Sequence, residues 1–348
     1  MDNLDRINLL RFTKYDSIGY IFDRDFMEQI RIEGFDKQEF VVQEKVHGSN
    51  TCFVTDGKTV HFGKRSGFIA EGEYFYEHEE LLERYTSKII ALYFIVKERF
   101  KDMNILTIFG EMCGGNYPHP DVKNNTNVSI IQKGVFYSPN HEFYAFDLYV
   151  GDEKSGFYAT VDESNVFFER GEFLYAKTLF RGTLDECLKY PNDSISLISD
   201  WLGLPPIENN ICEGIVIRPV ITDYLSNGAR ILLKSKNEHF LEKKAIKKRV
   251  PKWLLKHSYS EQLNNLLFVV EQYVTENRLN NVISKIGHVS MPKELGKLID
   301  LFSEDILEDF LKENSGNFAV LEKNEQKIFS RHLRNISAKM IKEKYFKM

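Results

Sequence analysis

Apolar and polar positions divide the chain into a strand-rich part and a helical part. Between residues 39 and 65, three short alternating segments predict strands, and Asp56-Gly57 between the last two is a strong hairpin signal. Residues 75–100 carry apolar side chains at helical spacing, which predicts a helix. Further strands are predicted at 105–111, 142–150, 213–220 and 229–235.

The strands and helices of the first part follow one another without a regular βαβ rhythm, so its predicted fold class is α+β. A short helix is expected to begin at a cap residue, Asp193, and to end before Pro205. After residue 258 the pattern becomes helical, with one apolar stripe over 263–274 and another over 279–286.

A basic segment separates the two parts. Residues 234–257 contain nine Lys or Arg residues and two Glu residues. We therefore predict a strand-rich N-terminal domain at 1–244, a basic linker at 245–258 and an all-α C-terminal domain at 259–348.

Length and composition exclude several classes of protein. A chain of 348 residues suits two domains, and its net charge of −5 argues against indiscriminate binding to nucleic acid. The longest apolar run, Ile89–Val96, is too short to span a membrane, and we see no secretory signal. Four cysteines without a CxxC pair argue against a disulfide framework or a zinc site. We expect reduced thiols and an intracellular, cytoplasmic protein.

Lys45, in the segment QEKVHGSN, is a candidate nucleophile. An unperturbed lysine has a pKa near 10.4, so holding its amine neutral at pH 7 costs about 4.6 kcal/mol. Burial or neighbouring cations must lower that pKa before the amine can attack. If Lys45 is a nucleophile, other cations should therefore lie nearby, and Arg65, Lys234 and Lys236 are the candidates.

Two carboxylates at strand ends are candidates for binding ribose or a divalent metal. Glu111 ends one predicted strand and Glu213 begins another, and hard oxygen ligands suit magnesium. An isolated glutamate at a strand end is more often simply solvated. The aromatic residues of 142–150 belong to the core or stack on a base, and periodicity does not decide between these roles.

The order of these segments resembles the covalent nucleotidyltransferase superfamily. Lys45-x-x-Gly48 is followed by GKRSG, FGE, YAFD, EGIVIRP and LLKSK. The histidine in EKVHGSN resembles the RNA ligase 2 family, where DNA ligases and capping enzymes have an aspartate. GGNYPHPDV and VFYSPNHEFYAFDLYV are similar to mitochondrial RNA-editing ligases, and YVTENRLNNVISKIG resembles the helical C-terminal domain of phage-type members. Ser49 and Arg218 depart mildly from the family pattern, where threonine and lysine are common.

The resemblance implies a role for each matching residue. Lys45 would attack the α-phosphorus of ATP to form lysyl–AMP, and Phe146 would stack on the adenine. Glu213 would help to bind metal. His47 and Asn50 would support the later RNA steps, with Arg65 also at the RNA end. The implied nucleotide-binding residues are Glu44, Val46, Arg65, Glu111, Phe146, Lys234 and Lys236.

The resemblance also implies the fold and the function. The fold would be a nucleotidyltransferase (adenylation) domain of antiparallel sheets with flanking helices, followed by an all-α domain. The activity would be ATP-dependent RNA ligation with Mg²⁺ or Mn²⁺, in which a 3′-OH end is joined to a 5′-phosphate end. The substrate would be a nicked duplex or bridged RNA ends, and the biological role would be nick sealing or RNA repair. RNA is the expected partner. We expect the protein to be a monomer and not to bind membranes. Alternatives are a DNA ligase or capping guanylyltransferase, or a nonenzymatic RNA-binding module.

Overall fold

The computed structural model describes residues 10–241, 259–287, 289 and 291–346. These residues form two units, which divide between His239 and Phe240. The predicted basic linker at 245–258 lies outside the described residues, so the predicted domain boundaries stay predictions.

The first unit is built mainly of strands. Its strands are β1 Gly19–Tyr20, β2 Phe40–Lys45, β3 Ser49–Thr55, β4 Val60–Lys64, β5 Gly67–Phe68, β6 Ile105–Gly114, β7 His141–Gly151, β8 Gly156–Tyr158, β9 Leu174–Tyr175, β10 Thr178–Gly182, β11 Gly214–Pro219 and β12 Leu233–Lys236. Its helices are α1 Arg24–Ile32, α2 His78–Arg99, α3 Val161–Arg170, α4 Leu184–Cys187 and α5 Ile198–Trp201, with 3-10 turns at Phe35–Lys37 and Glu238–Phe240. The predicted α+β class is confirmed.

The strands form two sheets. The first has the order β1-β12-β11-β2-β10, and the second has the order β5-β4-β3-β6-β7-β8 with β9 also paired to β7. Most neighbours are antiparallel, as predicted, but β1 with β12 and β9 with β7 are parallel. The predicted strand over 229–235 begins too early, because regular pairing starts only at Leu233.

Side chains on the first sheet alternate between a core face and a polar face. On the core face Phe40, Val42 and Ile215 pack with α1 and α4 in an apolar cluster. Successive side chains in a strand point to opposite faces, so Gln43 and Lys45 lie on the other face. The sheet therefore buries one face in a core and leaves the other available for a site.

The second sheet packs against α2, which supplies the apolar residues that the sequence predicted at helical spacing. Leu81, Tyr85, Ile89 and Leu92 of this helix are buried in a cluster with residues from β3, β6 and β7. The opposite face of the sheet packs in a separate cluster that also includes Leu232, next to β12 of the first sheet. The two sheets therefore face each other across a shared interior.

The second unit is helical throughout its described residues. It contains α6 Glu261–Val270, a 3-10 turn at Glu271–Tyr273, α7 Glu276–Ile286, α8 Leu295–Ala319 and α9 Lys323–Phe346. The predicted apolar stripes are buried in one cluster that joins all four α-helices. In the described part of the chain, no helix is long and apolar enough to cross a membrane.

Candidate active site

A cleft opens between the inner faces of the two sheets. The first sheet contributes side chains from β2 and β11, and the second contributes side chains from β3, β6 and β7. Six residues predicted for the site line it, namely Glu44, Lys45, Val46, Asn50, Glu111 and Phe146.

Lys45 ends β2 and lies in one row with two neighbouring strands. Gly214 of β11 pairs with Lys45 on one side and with Lys236 on the other. The residue before that glycine, Glu213, reaches both cations: its carboxylate oxygens lie 2.7 Å from Lys45 Nζ and 2.9 Å from Lys236 Nζ. The register of three strands thus gathers two predicted cations around one buried carboxylate.

The Glu213 carboxylate is ionised despite its burial, with only 1% of the residue exposed. Burial acts to raise its pKa, but the positive charges of Lys236 and Lys45, with a smaller effect of His47, outweigh burial and lower the pKa to about 2. Glu213 therefore stays negative at any pH at which the protein is expected to work.

The turn after Lys45 brings His47 to the same carboxylate. His47 Nδ1 lies 3.7 Å from Glu213 Oε2, the oxygen that Lys45 also contacts. Gly48 is required by space, because a Cβ atom there would lie 2.3 Å from the carbonyl oxygen of Met112. The glycine of the KxHG pattern thus allows the chain to pass β6 closely.

Glu111 stands across the cleft from this group. It pairs with Asn50 in the β3–β6 register, and both side chains line the cleft. The pKa of Glu111 is raised to about 7, mainly by burial. The negative charge of Glu213 also raises this pKa, whereas the positive charges of Lys45 and Arg65 lower it. Arg65, in the turn between β4 and β5, is therefore within electrostatic reach of Glu111.

The two carboxylates suit a divalent cation that is shared with a bound nucleotide. Within the described ranges, no group of three or more His, Cys, Asp or Glu side chains forms a self-contained metal site. Magnesium, however, is commonly held by one or two carboxylates together with substrate phosphates and water. Glu111 and Glu213 supply such oxygens, so the residues present fit Mg²⁺ or Mn²⁺ only with the nucleotide bound.

Phe146 lines the cleft and is the extra residue of a bulge in β7. Asp147 pairs with Phe109 and Ala145 pairs with Gly110, so Phe146 has no partner of its own on β6. An extra residue of this kind redirects side chains. Ala145 packs in the α2 core, whereas Phe146 lines the cleft and contacts Tyr15 at a ring distance of 5.0 Å.

A buried ionic cluster behind Phe146 was missed by the sequence reasoning. Asp147 accepts hydrogen bonds from Tyr15 Oη at 2.7 Å and Arg218 Nη2 at 2.7 Å, and Arg230 Nη1 lies 3.0 Å away. Burial acts to raise the pKa of Asp147, but Arg218 and Arg230 bring it below its usual value. The only sequence signals were the FD of YAFD and the arginine after EGIVI, in segments about 70 residues apart.

Lys234 is not brought into the Lys45 group. It lies on the same face of β12 as Lys236, two residues earlier, and its Nζ sits 4.0 Å from the ring centre of Tyr20. Its side chain does not line the cleft. Four other predicted residues also lie outside the lining but close to Lys45 or Glu111, namely Lys236, Glu213, His47 and Arg65. The role of Lys234 at the α-phosphate stays a prediction.

The carboxylate of Glu44 binds the segment before α5, and its predicted contact with the nucleotide stays a prediction. Its carboxylate is buried and accepts hydrogen bonds from Ser196 Oγ at 2.6 Å and from the Leu197 amide at 3.0 Å. The predicted helix start at Asp193 is therefore wrong: α5 begins at Ile198, because Ile195 forms a β-bridge with Ile211 and the next two residues bind Glu44. The predicted end before Pro205 is confirmed.

The ionisation of Glu44 is unfavourable in this position. Burial raises its pKa to about 7, although the hydrogen bonds from Ser196 and Leu197 act in the opposite direction. The folded state therefore holds the Glu44 proton more tightly than the unfolded chain does. The stability that this provides is complete below the unfolded pKa of about 4.3 and is lost as the pH rises through 7.

Replacing Glu44 by glutamine should reduce the pH dependence of stability between pH 5 and pH 8. Over this range ionisation of Glu44 should lower the free energy of unfolding of the wild-type protein by about 3 kcal/mol. Glutamine does not ionise, so the variant should not show this loss. Urea unfolding of both proteins at several pH values measures the difference. Glu83→Gln, which changes an exposed glutamate on α2, is the control and should follow the wild type. Parallel curves for Glu44→Gln and the wild type would contradict the expectation.

Comparisons with known proteins assign the chain to a family. The family model described as RNA ligase matches residues 38–236, and the model described as T4 RNA ligase 2 C-terminal matches residues 257–339. The first match alone covers more than half of the chain and contains every predicted site residue from Glu44 to Lys236.

Two curated relatives come from Trypanosoma brucei brucei. The chain is 29% identical to mitochondrial RNA-editing ligase 2, over 85% of this chain and 84% of that protein. It is also 29% identical to mitochondrial RNA-editing ligase 1, over 82% of this chain and 73% of that protein.

Among solved structures, a Naegleria gruberi RNA ligase with PPi is 18% identical, with a TM-score of 0.41. The alignment covers 66% of this chain and 57% of that ligase, so this chain spans little more than half of its length. The family assignment rests instead on the two family models. The chain belongs to the RNA ligase family, in its RNA ligase 2 branch, whose members join RNA ends with ATP.

Proposed function

We propose that Lys45 is the nucleophile with which this RNA ligase takes AMP from ATP before it joins a 3′-OH to a 5′-phosphate. The observation that carries the proposal is the Lys45–Glu213–Lys236 group beside the cleft. A cation pair around a fixed carboxylate suits a reaction in which negative charge moves along a phosphate chain.

The reaction takes place in three transfers. Lys45 Nζ, after losing a proton, attacks the α-phosphorus of ATP, so a P–N bond forms and the P–O bond to pyrophosphate breaks. An oxygen of the RNA 5′-phosphate then attacks the same phosphorus and releases Lys45. Finally, the RNA 3′-OH attacks the 5′-phosphorus, AMP leaves, and a phosphodiester bond remains.

The surrounding residues would position the nucleotide. Phe146 would stack on the adenine, and Val46 and Asn50 would contact the bound nucleotide or the RNA end from the Lys45 turn. Lys236, with Lys234 and Arg65, would hold the phosphates. Glu111 and Glu213 would hold Mg²⁺ or Mn²⁺, which would neutralise charge that develops on the phosphates when bound. His47 would act in the RNA steps, because its ring faces Glu213 beside Lys45.

Labelling with α-³²P nucleotides tests the proposal against its alternatives. The full chain is incubated with magnesium and either ATP or GTP, and label that survives denaturation is measured. We expect ATP to label the protein through an acid-labile P–N bond, and GTP not to. Label from GTP would favour a capping guanylyltransferase, and no label from either nucleotide would favour a nonenzymatic RNA-binding module.

One face of α9 supports RNA binding by the helical unit. The helix carries seven Lys or Arg residues and two Glu residues, in a chain whose net charge is −5. Lys323, Lys327 and Arg331 are exposed, and their spacing of four residues places them on one side of the helix. Within the described ranges none of the three has a carboxylate partner, so they are available for RNA phosphates.

Replacing Lys323, Lys327 and Arg331 together by glutamine should weaken RNA binding without affecting lysyl–AMP formation. Each lost phosphate contact should reduce the slope of log affinity against log salt by about 0.7 to 0.9. Binding of a nicked RNA duplex at several salt concentrations measures this effect. The matched control changes three cations that already pair with carboxylates, namely Lys297, Lys312 and Lys339. Equal losses in both variants would argue against a specific role of the α9 face.

Several finer predictions belong to this proposal and are not tested by the fold. They are the preference for nicked duplex or bridged RNA ends, the monomeric state, and the cytoplasmic location. The two trypanosome relatives are named as mitochondrial proteins, so the location predicted for this chain is not supported by them.

A further inference from the structure

The residues on both sides of Lys45 are tied to one network of buried polar groups. On the N-terminal side, Glu44 accepts the hydroxyl of Ser196 at 2.6 Å. Ser196 in turn donates its backbone N–H to the carbonyl of Asn210 at 2.9 Å. Glu44, Ser196 and Asn210 are each less than 5% exposed, so water does not replace these bonds easily.

Asn210 connects this arm to the loop between β6 and β7. Its side-chain oxygen accepts the Phe136 amide at 2.8 Å, and its side-chain nitrogen donates to the Phe136 carbonyl at 2.7 Å. Two hydrogen bonds from one side chain to one residue fix both the position and the orientation of that residue. The neighbouring Tyr137 is therefore held by a backbone that Asn210 determines.

Tyr137 completes the network on the C-terminal side of Lys45. Its ring is fully buried, and its hydroxyl oxygen accepts the backbone N–H of His47 at 3.0 Å. His47 is two residues after Lys45 and faces Glu213. The chain of contacts thus leaves the strand before the lysine, crosses three loop segments, and returns to the chain just after it.

We propose that Ser196, Asn210 and Tyr137 are positioning residues for adenylyl transfer, which fix Glu44 and His47 and thereby the backbone that carries Lys45. This inference rests on the proposed role of Lys45 as nucleophile. None of the three side chains lines the cleft, so they act on the lysine without touching the nucleotide.

The size of the expected effect follows from the geometry of attack. An amine must lie about 3 to 3.5 Å from the phosphorus and in line with the leaving group, and a displacement of about 1 Å can cost 10²-fold in rate. Lys45 is the last residue of β2, so its own strand no longer restrains the chain that follows. Besides the pairing of Lys45 with Gly214, the contacts on Glu44 and His47 restrain the chain on both sides of the lysine.

The test compares two tyrosines of the same loop. Tyr137→Phe and Ser196→Ala each remove one oxygen atom from the network, on opposite sides of Lys45. Tyr117→Phe is the matched control, because Tyr117 is also fully buried in this loop but donates its hydroxyl to the Pro205 carbonyl, outside the network. Single-turnover labelling with α-³²P-ATP, over a range of ATP concentrations, gives the rate constant at saturation and the ATP concentration at half-saturation.

We expect Tyr137→Phe and Ser196→Ala each to lower the saturated rate about tenfold, with half-saturation within twofold of wild type. The double variant should lose less than the product of the single losses, because both break one network. Tyr117→Phe should label at the wild-type rate. Thermal unfolding identifies a misfolded variant. If Tyr137→Phe does not fold, the labelling rate of Ser196→Ala relative to that of Tyr117→Phe tests the positioning role.

The outcomes separate this inference from the proposed function. The positioning role would be overturned if both network variants label at the wild-type rate. It would also be overturned if Tyr117→Phe and Tyr137→Phe lose equal rates. Lys45 would remain the proposed nucleophile in both cases. A raised half-saturation with an unchanged rate would also overturn the positioning role, since that result indicates nucleotide contact. Absence of label from the wild-type protein would instead remove the proposed function on which the inference rests.

Discussion

Replacing Lys45 by alanine should abolish covalent labelling of the protein by α-³²P-ATP. Under the proposed mechanism the P–N bond forms on the Lys45 amine, which alanine lacks. The variant should still seal RNA that already carries AMP on its 5′-phosphate, because that step needs no lysyl–AMP. Labelling and sealing of preadenylated RNA, measured on the same preparation, separate loss of the nucleophile from loss of the fold.

Lys64→Ala is the matched control for this experiment. Lys64 is also a partly buried lysine at the end of a strand, and it forms an ion pair with a glutamate, Glu73. We expect this variant to label normally. Undiminished labelling of Lys45→Ala would show that another residue carries the AMP, and equal losses in both variants would point to a general effect of removing a buried cation.

Replacing Glu213 by glutamine should both slow labelling and destabilise the first unit. Glutamine keeps the shape of the side chain but leaves Lys45 and Lys236 without a counter-charge in a buried place. Breaking a buried ion pair in this way costs about 3 to 5 kcal/mol. Labelling should fall at least tenfold, since the amine, the phosphate-binding lysine and the metal would all lose their common carboxylate.

Urea unfolding and single-turnover labelling measure the two effects separately. Glu142→Gln is the control, because Glu142 is also largely buried but pairs with Arg84, away from the cleft. We expect it to retain wild-type labelling. A Glu213→Gln variant that labels near the wild-type rate would mean that EGIVIRP is wrongly aligned with the family motif.

The sequence predicted the strands and the order of the site segments because these depend on local patterns. Alternation fixes which side chains of one strand share a face, but the register that places Lys45 and Lys236 on either side of Gly214 comes from the pairing of three strands. The order of the motifs then identified the family. The structure brings Lys45, His47, Glu213 and Lys236 together, with Glu111 across the cleft, as the motifs implied.

Other features of the site depend on contacts that a local pattern does not contain. The helix expected from Asp193 lost its first turn because Ser196 and Leu197 bind a carboxylate about 150 residues earlier. Glu44, predicted at the nucleotide, proved to direct its carboxylate into that contact. In the sequence, Tyr137 cannot be told from other aromatic residues of the core. Only the structure shows that its hydroxyl lies 3.0 Å from the backbone nitrogen of His47.

The bulge in β7 makes the length of this strand matter more than the identity of its residues. Deleting Tyr144 or Ala145 would restore regular pairing with β6 and move Phe146 to the position opposite Gly110, where side chains face the α2 core. An aromatic ring would leave the cleft, while Asp147 would keep its place opposite Phe109. Among relatives and engineered variants, this strand should therefore accept conservative substitutions of Phe146 but no insertion or deletion.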